Sequence, residues 1–200
     1  MEPDFWNERY AGDSYFYGTT PNAFVSECAP QIPPGPVLCL AEGEGRNAVF
    51  LATRGHAVTA VDQSAVGLAK AQRLAADRKV ALTTAVTDLA AFSIEPRAWS
   101  GVVATFVHLP QPLRRNLHRQ VADGLRPGGV FIFEAYTPEQ VKFRTGGPVN
   151  QPELLVKMAE LRDELGDLEL VIARELVRDV SEGSGHKGRG AVVQVLARKE

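Results

Sequence analysis

A chain of 200 residues, 44% apolar and 23% charged, has the composition of a globular protein with a sizeable core. A formal net charge of -2, with no dense basic cluster, gives no pull toward nucleic acid or an anionic membrane. Two cysteines, Cys28 and Cys39, exclude a disulfide framework, and no apolar run approaches the ~18 residues of a membrane span. Both thiols sit in apolar surroundings and are expected to be free and buried. The opening MEPDFWNERY lacks the basic and apolar regions of a secretory leader, so a reducing cytoplasm is the expected location.

Residues 1–30 concentrate aromatics: Phe5, Trp6, Tyr10, Tyr15, Phe16 and Tyr17. Asp4 is placed to cap a short helix from Phe5 to Tyr10, and Asn22 to start a second helix after GTTP. The proline-rich QIPPGP cannot be helical and delivers the chain to a first strand, Val37 to Ala41. A helix follows from Arg46 to Arg54, closed by Gly55. The second strand is Ala57 to Val61, and Ser64 caps a helix reaching Asp77. Strands are expected over Val80 to Ala85, Gly101 to Val107 and Val130 to Ala135, with a helix from Pro112 to Gly124 before the last. These strands are continuous apolar runs, which is the pattern of a parallel sheet buried under helices on both faces. The alternation then stops. Leu154 to Leu165 reads as helix, and Leu168 to Val180 and Ala191 to Ala197 read as an antiparallel strand pair joined by a polar loop, SEGSGHKGRG. The expectation is one α/β domain over residues 1–200, a doubly wound, seven-stranded, mostly parallel sheet.

The turn between the first strand and helix, AEGEGRN, matches the glycine fingerprint of nucleotide-cofactor folds as Gly43-x-Gly45-x-x-Ala48. Asp62 ends the second strand and is placed to accept hydrogen bonds from both hydroxyls of an adenosine ribose. NAD would bring a pyrophosphate to the helix N-terminus, where Glu42 and Glu44 add repulsive charge. S-adenosylmethionine brings an ammonium and a sulfonium instead, which suit an acidic turn, while helix N–H groups remain to meet its carboxylate. Glu44 pointing to solvent is the alternative for that residue.

AEGEGRN, VDQS, TDL and LRPGG (Leu125 to Gly129) occur in the order found in class I S-adenosylmethionine-dependent methyltransferases, which the chain resembles along almost its whole length. Gly45-Arg46-Asn47, Asp88-Leu89 and GSGHKGRGAVVQVLARK are most similar to the tellurite-resistance and thiopurine methyltransferase group. The sequence departs from the family pattern at Cys39, Asn47 and Ser100. The resemblance implies a Rossmann-like methyltransferase fold with residues 1–30 covering the cofactor. It implies that Ala41, Glu42, Gly43, Glu44, Gly45 and Asn47 hold the methionine end, and that Asp62, Gln63 and Ser64 hold ribose and adenine. Asp88 and Leu89 then meet the adenine edge, Thr105 and Phe106 the ammonium, and Tyr17 joins the cover.

Ligands in open α/β sheets bind at the carboxyl ends of strands. His108 follows the fourth strand and Tyr136 ends the fifth, so both are catalytic candidates, His108 as base or orienter. Trp6, Tyr10, Arg144, His186 and Arg189 are candidates for the acceptor rim. The four histidines show no metal-ligand spacing, and no metal is expected. The activity these readings support is methyl transfer to a small molecule: a thiol, a chalcogen oxyanion or a similar nucleophile. The alternatives are an NAD-linked oxidoreductase and a non-catalytic cofactor-binding module of the same fold.

Overall fold

Apolar runs form the strands, and alternate residues of each run feed opposite faces of one sheet. In the computed structural model, which describes residues 3–200, Leu38, Leu40, Val102, Ala104, Phe131 and Phe133 pack on one face. Val37, Cys39, Val103, Val130 and Ile132 pack on the other. Met1 and Glu2, the first residues of the expected covering segment, lie outside the described residues. The helices are α1 (Pro3–Tyr10), α2 (Ala23–Cys28), α3 (Arg46–Thr53), α4 (Ala65–Asp77), α5 (Gln111–Gly124) and α6 (Met158–Glu164). The strands are β1 (Pro36–Leu40), β2 (Ala57–Asp62), β3 (Thr83–Val86), β4 (Trp99–Thr105), β5 (Leu125–Tyr136), β6 (Glu169–Glu182) and β7 (His186–Arg198).

The seven strands follow the order β3-β2-β1-β4-β5-β7-β6. Strands β1 to β5 run parallel, and β7 pairs antiparallel with both β5 and β6. The strand order reverses between β1 and β4, which opens the crevice where such folds bind ligands. No helix among the described residues is long and apolar enough to cross a membrane. Both cysteines are free and buried.

Two of the expected caps form, while Asp4 lies inside the first turn of α1, which begins at Pro3. The Asn22 side chain accepts from the amides of Phe24 and Val25, and the Ser64 hydroxyl from that of Gly67. Three expectations need correction. Strand β3 begins at Thr83 because the Val80 amide still donates to Ala75 at the end of α4, and Val80 packs on that helix. The helix expected over Leu154 to Leu165 divides into a short 3-10 turn, Pro152–Leu154, and α6. Between them the Val156 amide donates to the Tyr136 carbonyl at 2.9 Å, which draws the chain back to the sheet. The segment SEGSGHKGRG is mostly strand: the ladder runs to Glu182 opposite His186, leaving a three-residue tip, Gly183 to Gly185. That tip is held by the covering segment, since the Phe16 carbonyl accepts from the amides of Ser184 and Gly185.

Candidate cofactor and acceptor site

The glycine turn leaves β1 through Ala41, which adopts a left-handed conformation with φ 48°. Gly43 and Gly45 follow at φ 62° and 92°, a region where side chains are strained. Space forbids side chains there too. A Cβ on Gly45 would fall 2.6 Å from the Ala71 Cβ, and one on Gly43 would fall 2.7 Å from the Tyr10 hydroxyl.

The acidic residues in and beside the turn do three different things. Asp62 accepts from the amides of Gly43 and Ser64 at 2.8 Å each, and burial raises its pKa against those bonds. Glu42 caps α3, accepting from the amides of Asn47 and Ala48 at 2.8 Å each. Burial pushes its pKa up to about 7 in spite of these donors and nearby Arg46. The helix N–H groups expected to remain for the cofactor's carboxylate are therefore taken by Glu42. Glu44 is buried rather than solvent-facing. It pairs with Lys70 of α4 and accepts from the amides of Phe16 and Tyr17 at 2.7 and 3.3 Å.

The N-terminal segment covers this turn. Asn7 of α1 accepts from the Ser64 hydroxyl at 2.8 Å, which docks α1 on the start of α4. Docking carries Tyr10 over Gly43, with Trp6 stacked on its ring at 5.6 Å. Trp6 and Tyr10 thus stand over the glycine turn, with Tyr10 edge-on to Tyr17 at 6.4 Å. Nearby, Asn47 accepts from the Asn22 amide and donates to the Thr105 hydroxyl. Gln63 is half-buried beside Asp62, Leu89 is buried, and Asp88 is exposed with its carboxylate accepting from the Ala90 amide.

A second cluster lies beyond the ends of β4 and β5. The Phe106 ring packs between His186, 4.3 Å away, and Tyr136, 4.7 Å away. His108 stacks on Tyr136 at 5.8 Å, and Tyr17 lies 4.6 Å from His186. The Tyr136 hydroxyl and the His108 Nε2 are buried without a hydrogen-bond partner. Unpartnered buried polar atoms are costly and mark a place where a ligand can supply the partner. Burial lowers the His108 pKa to about 4, in spite of the hydrogen bond its Nδ1–H donates to the Leu154 carbonyl. Burial likewise raises that of Tyr136. Both groups are neutral at pH 7.

Two expected rim residues stand apart from this cluster. Arg144 is exposed, and Arg189 is exposed with its guanidinium over Phe143. Strand alternation explains Arg189: His186 points inward, so Lys187 and Arg189 point outward. His186 is the hairpin residue that packs in this cluster, against Phe106 and Tyr136.

Sequence reading missed the polar frame. Lys70, 2% exposed, donates to the carbonyls of Tyr10, Gly12 and Ser14 as well as pairing with Glu44. Glu182 pairs with Arg46 at 2.7 Å and Arg178 at 3.0 Å, and accepts from Asn22. The acidity of ELVRDVSEG is visible in the sequence, but the Glu182 partners Asn22, which caps α2, and Arg46, in α3, are far away in the chain.

These residues suit S-adenosylmethionine. Two carboxylates, Glu42 and Asp62, lie beside Gly43, which has no side chain, and acceptors of this kind match an ammonium, a sulfonium and ribose hydroxyls. A pyrophosphate would meet a helix terminus already occupied by the Glu42 carboxylate, which counts against the NAD-linked alternative.

Known proteins agree. A methyltransferase-domain family model matches residues 37–129. No curated protein sequence matches the chain. A structure described for conversion of a disulfide bond into a thioacetal group during echinomycin biosynthesis is similar, with TM-score 0.78 and 17% identity over 98% of this chain and 89% of that one. TehB from Haemophilus influenzae is similar with TM-score 0.73 and 20% identity over 99% of this chain and 67% of that one. Magnesium protoporphyrin IX methyltransferase (ChlM) from Synechocystis PCC 6803, solved with bound SAH, gives 0.70 and 16% over 99% and 97%. At these identities the structural likeness establishes the fold, while the matched domain spans the glycine turn, Asp62 and the LRPGG segment. Residues 37–129 thus match a methyltransferase domain, and the whole chain shares the fold of these S-adenosylmethionine-dependent methyltransferases.

Proposed function

We propose that this methyltransferase acts on a small molecule held in the aromatic cluster of Phe106, Tyr136, His108 and His186. The observation that carries this reading is the pairing of buried aromatic walls with two unpartnered polar atoms, the Tyr136 hydroxyl and the His108 Nε2. Pockets for small ligands are built this way: mostly apolar, with a few convergent polar groups. The absence of a basic stripe in the sequence argues in the same direction against nucleic acid as the acceptor.

When bound, S-adenosylmethionine supplies a methyl group on a sulfonium, an electrophile that needs no further activation from the protein. The protein's own contribution is then to position the nucleophile and exclude water. Phe106 and Tyr136 supply walls that exclude water. Asp62 and Glu42 fix the cofactor side, and Asn47 ties the start of α3 to Thr105 at the end of β4, so the two halves of the site share one frame. His108, neutral at pH 7, accepts a hydrogen bond or a proton at Nε2. A reducing cytoplasmic setting fits the two free, buried thiols.

The test is a methyl-acceptance screen with mass-spectrometric detection across thiols, chalcogen oxyanions, small amines and phenols. Turnover of at least one small acceptor is expected. Turnover confined to protein or nucleic-acid acceptors would overturn the proposal.

A further inference from the structure

The hairpin tip, Gly183 to Gly185, joins β6 and β7, which lie beyond β5 on one side of the crevice. The covering segment docks on the other side, where the Asn7 side chain accepts from the Ser64 hydroxyl and the Val66 amide. The two meet at Phe16 and Tyr17. The Phe16 carbonyl accepts from the amides of Ser184 and Gly185 at 2.8 and 3.3 Å, and from the Ser184 hydroxyl at 3.1 Å. The amides of Phe16 and Tyr17 donate to Glu44 in the cofactor turn. One dipeptide is therefore bonded to the cofactor turn through its N–H groups and to the hairpin tip through a carbonyl.

The glycines of the tip make room for this approach. Gly183 has φ 60°, and a Cβ on it would fall 2.5 Å from the Tyr17 carbonyl carbon and 2.6 Å from the Gly18 nitrogen. A Cβ on Gly185 would run into the rings of Phe16 and Tyr17. Tyr17 continues the link through its side chain, which Arg9 of α1 hydrogen-bonds. Its ring lies 6.4 Å from Tyr10, over the glycine turn, and 4.6 Å from His186, in the acceptor cluster. Gly185 directly precedes His186, so a fixed tip fixes the start of β7 and with it the imidazole packed on Phe106 and Tyr136.

We propose that Phe16-Tyr17 is a latch through which cofactor binding orders the hairpin tip and so completes the acceptor site. A cofactor held by Glu42, Gly43 and Asp62 touches the groups on which the cover rests, and so favours the docked cover over the open one. The docked cover presents the Phe16 carbonyl to the tip. The coupling is reciprocal, so an acceptor packed against His186 tightens cofactor binding by the same factor. This rests on the methyltransferase reading and adds a regulation of that site.

Hydrogen–deuterium exchange on the full chain at pH 7, with and without S-adenosylhomocysteine, tests the latch. In the wild type the ligand should slow exchange in the cofactor turn, residues 42–49, and equally at residues 16–17 and 183–187. Gly183→Ala pushes the tip off the cover backbone. Loss of the two backbone hydrogen bonds should speed exchange at the tip by roughly 5- to 150-fold. In that variant the ligand should still slow the turn but no longer the tip. Gly185→Leu, which alters no positive-φ position, should behave alike. A wild-type tip that ignores the ligand while the turn responds overturns the proposal, and needs no variant to fold. Ligand protection of the tip that persists in both variants also overturns it. A turn that does not respond overturns the methyltransferase reading, and the latch with it.

Discussion

Lys70 and Glu44 form an ion pair with both side chains only 2% exposed, and this pair fastens the N-terminal cover to the cofactor turn. Lys70 also lies within hydrogen-bonding distance of the carbonyls of Tyr10, Gly12 and Ser14. Glu44 receives the amides of Phe16 and Tyr17. Removing one partner of a buried pair leaves an uncompensated charge and costs roughly 3–5 kcal/mol. Lys70→Met is therefore expected to lower the melting temperature sharply and to speed protease cleavage within the first 25 residues. In the native protein, cofactor should slow that cleavage. A Lys70→Met protein with an unchanged cleavage rate would show that the cover is held by other contacts.

Asp62 is expected to contribute most to cofactor affinity. A hydrogen bond to a charged group contributes about 1.5–3 kcal/mol, which corresponds to roughly 10- to 150-fold in Kd. Asp62→Asn should weaken S-adenosylhomocysteine binding by a factor in that range, read by calorimetry. Part of the loss will come through the turn, since Asp62 also accepts from Gly43 and Ser64. Unchanged affinity would remove Asp62 from the cofactor site.

Glu42 should couple cofactor binding to protons. Its pKa of about 7 lies above the ordinary 4.5, so the folded state holds this proton longer than the unfolded state does. Its contribution to stability therefore falls as pH rises from about 4.5 to about 7. A cation beside Glu42 favours the carboxylate, so S-adenosylmethionine binding at pH 7 should release protons. Calorimetry in buffers of different ionisation enthalpy measures the release, and Glu42→Gln should abolish it. Equal release in wild type and variant would assign the protons elsewhere.

Acid stability should depend on Glu164. Burial raises its pKa, but hydrogen bonds from His118 and Arg114 outweigh burial and hold the carboxyl at about 2. A depressed carboxyl pKa stabilises the fold above the unfolded value of about 4.5 and loses that contribution as pH falls toward 2. His118 adds to the same trend, because burial lowers its pKa below the ordinary 6.5, so the unfolded chain takes up this proton first as pH falls. Glu164→Gln should lower the melting temperature at pH 7 and flatten its fall between pH 4.5 and 2. A variant as stable as wild type at pH 7 would show that Arg114 and His118 find other partners.

The fold was legible where local chemistry decides it. The apolar runs of Val37 to Leu40 and Val102 to Ala104 are buried on both faces, as continuous runs predict. Asn22, Ser64 and Gly55 punctuate the chain where their side chains or lack of one require. The glycine turn and Asp62 were readable for the same reason. The buried ion pairs were not. Lys70 lies in AKAQRL, which reads as an ordinary exposed helix position, and its carboxylate partner is 26 residues back in the turn. Arg114 and Glu164 sit on different helices, 50 residues apart. The hairpin SEGSGHKGRG was missed because its glycines and charges mimic a loop. Its strand character comes from pairing with itself and from Phe16, nearly the full chain length away.

The central claim is that an acidic glycine turn selects S-adenosylmethionine. Calorimetric titration with S-adenosylhomocysteine, with NAD run in parallel on the same protein, tests it most directly. The account predicts saturable binding of S-adenosylhomocysteine at micromolar concentration and no heat from NAD beyond dilution. Saturable NAD binding with silence from S-adenosylhomocysteine would contradict it.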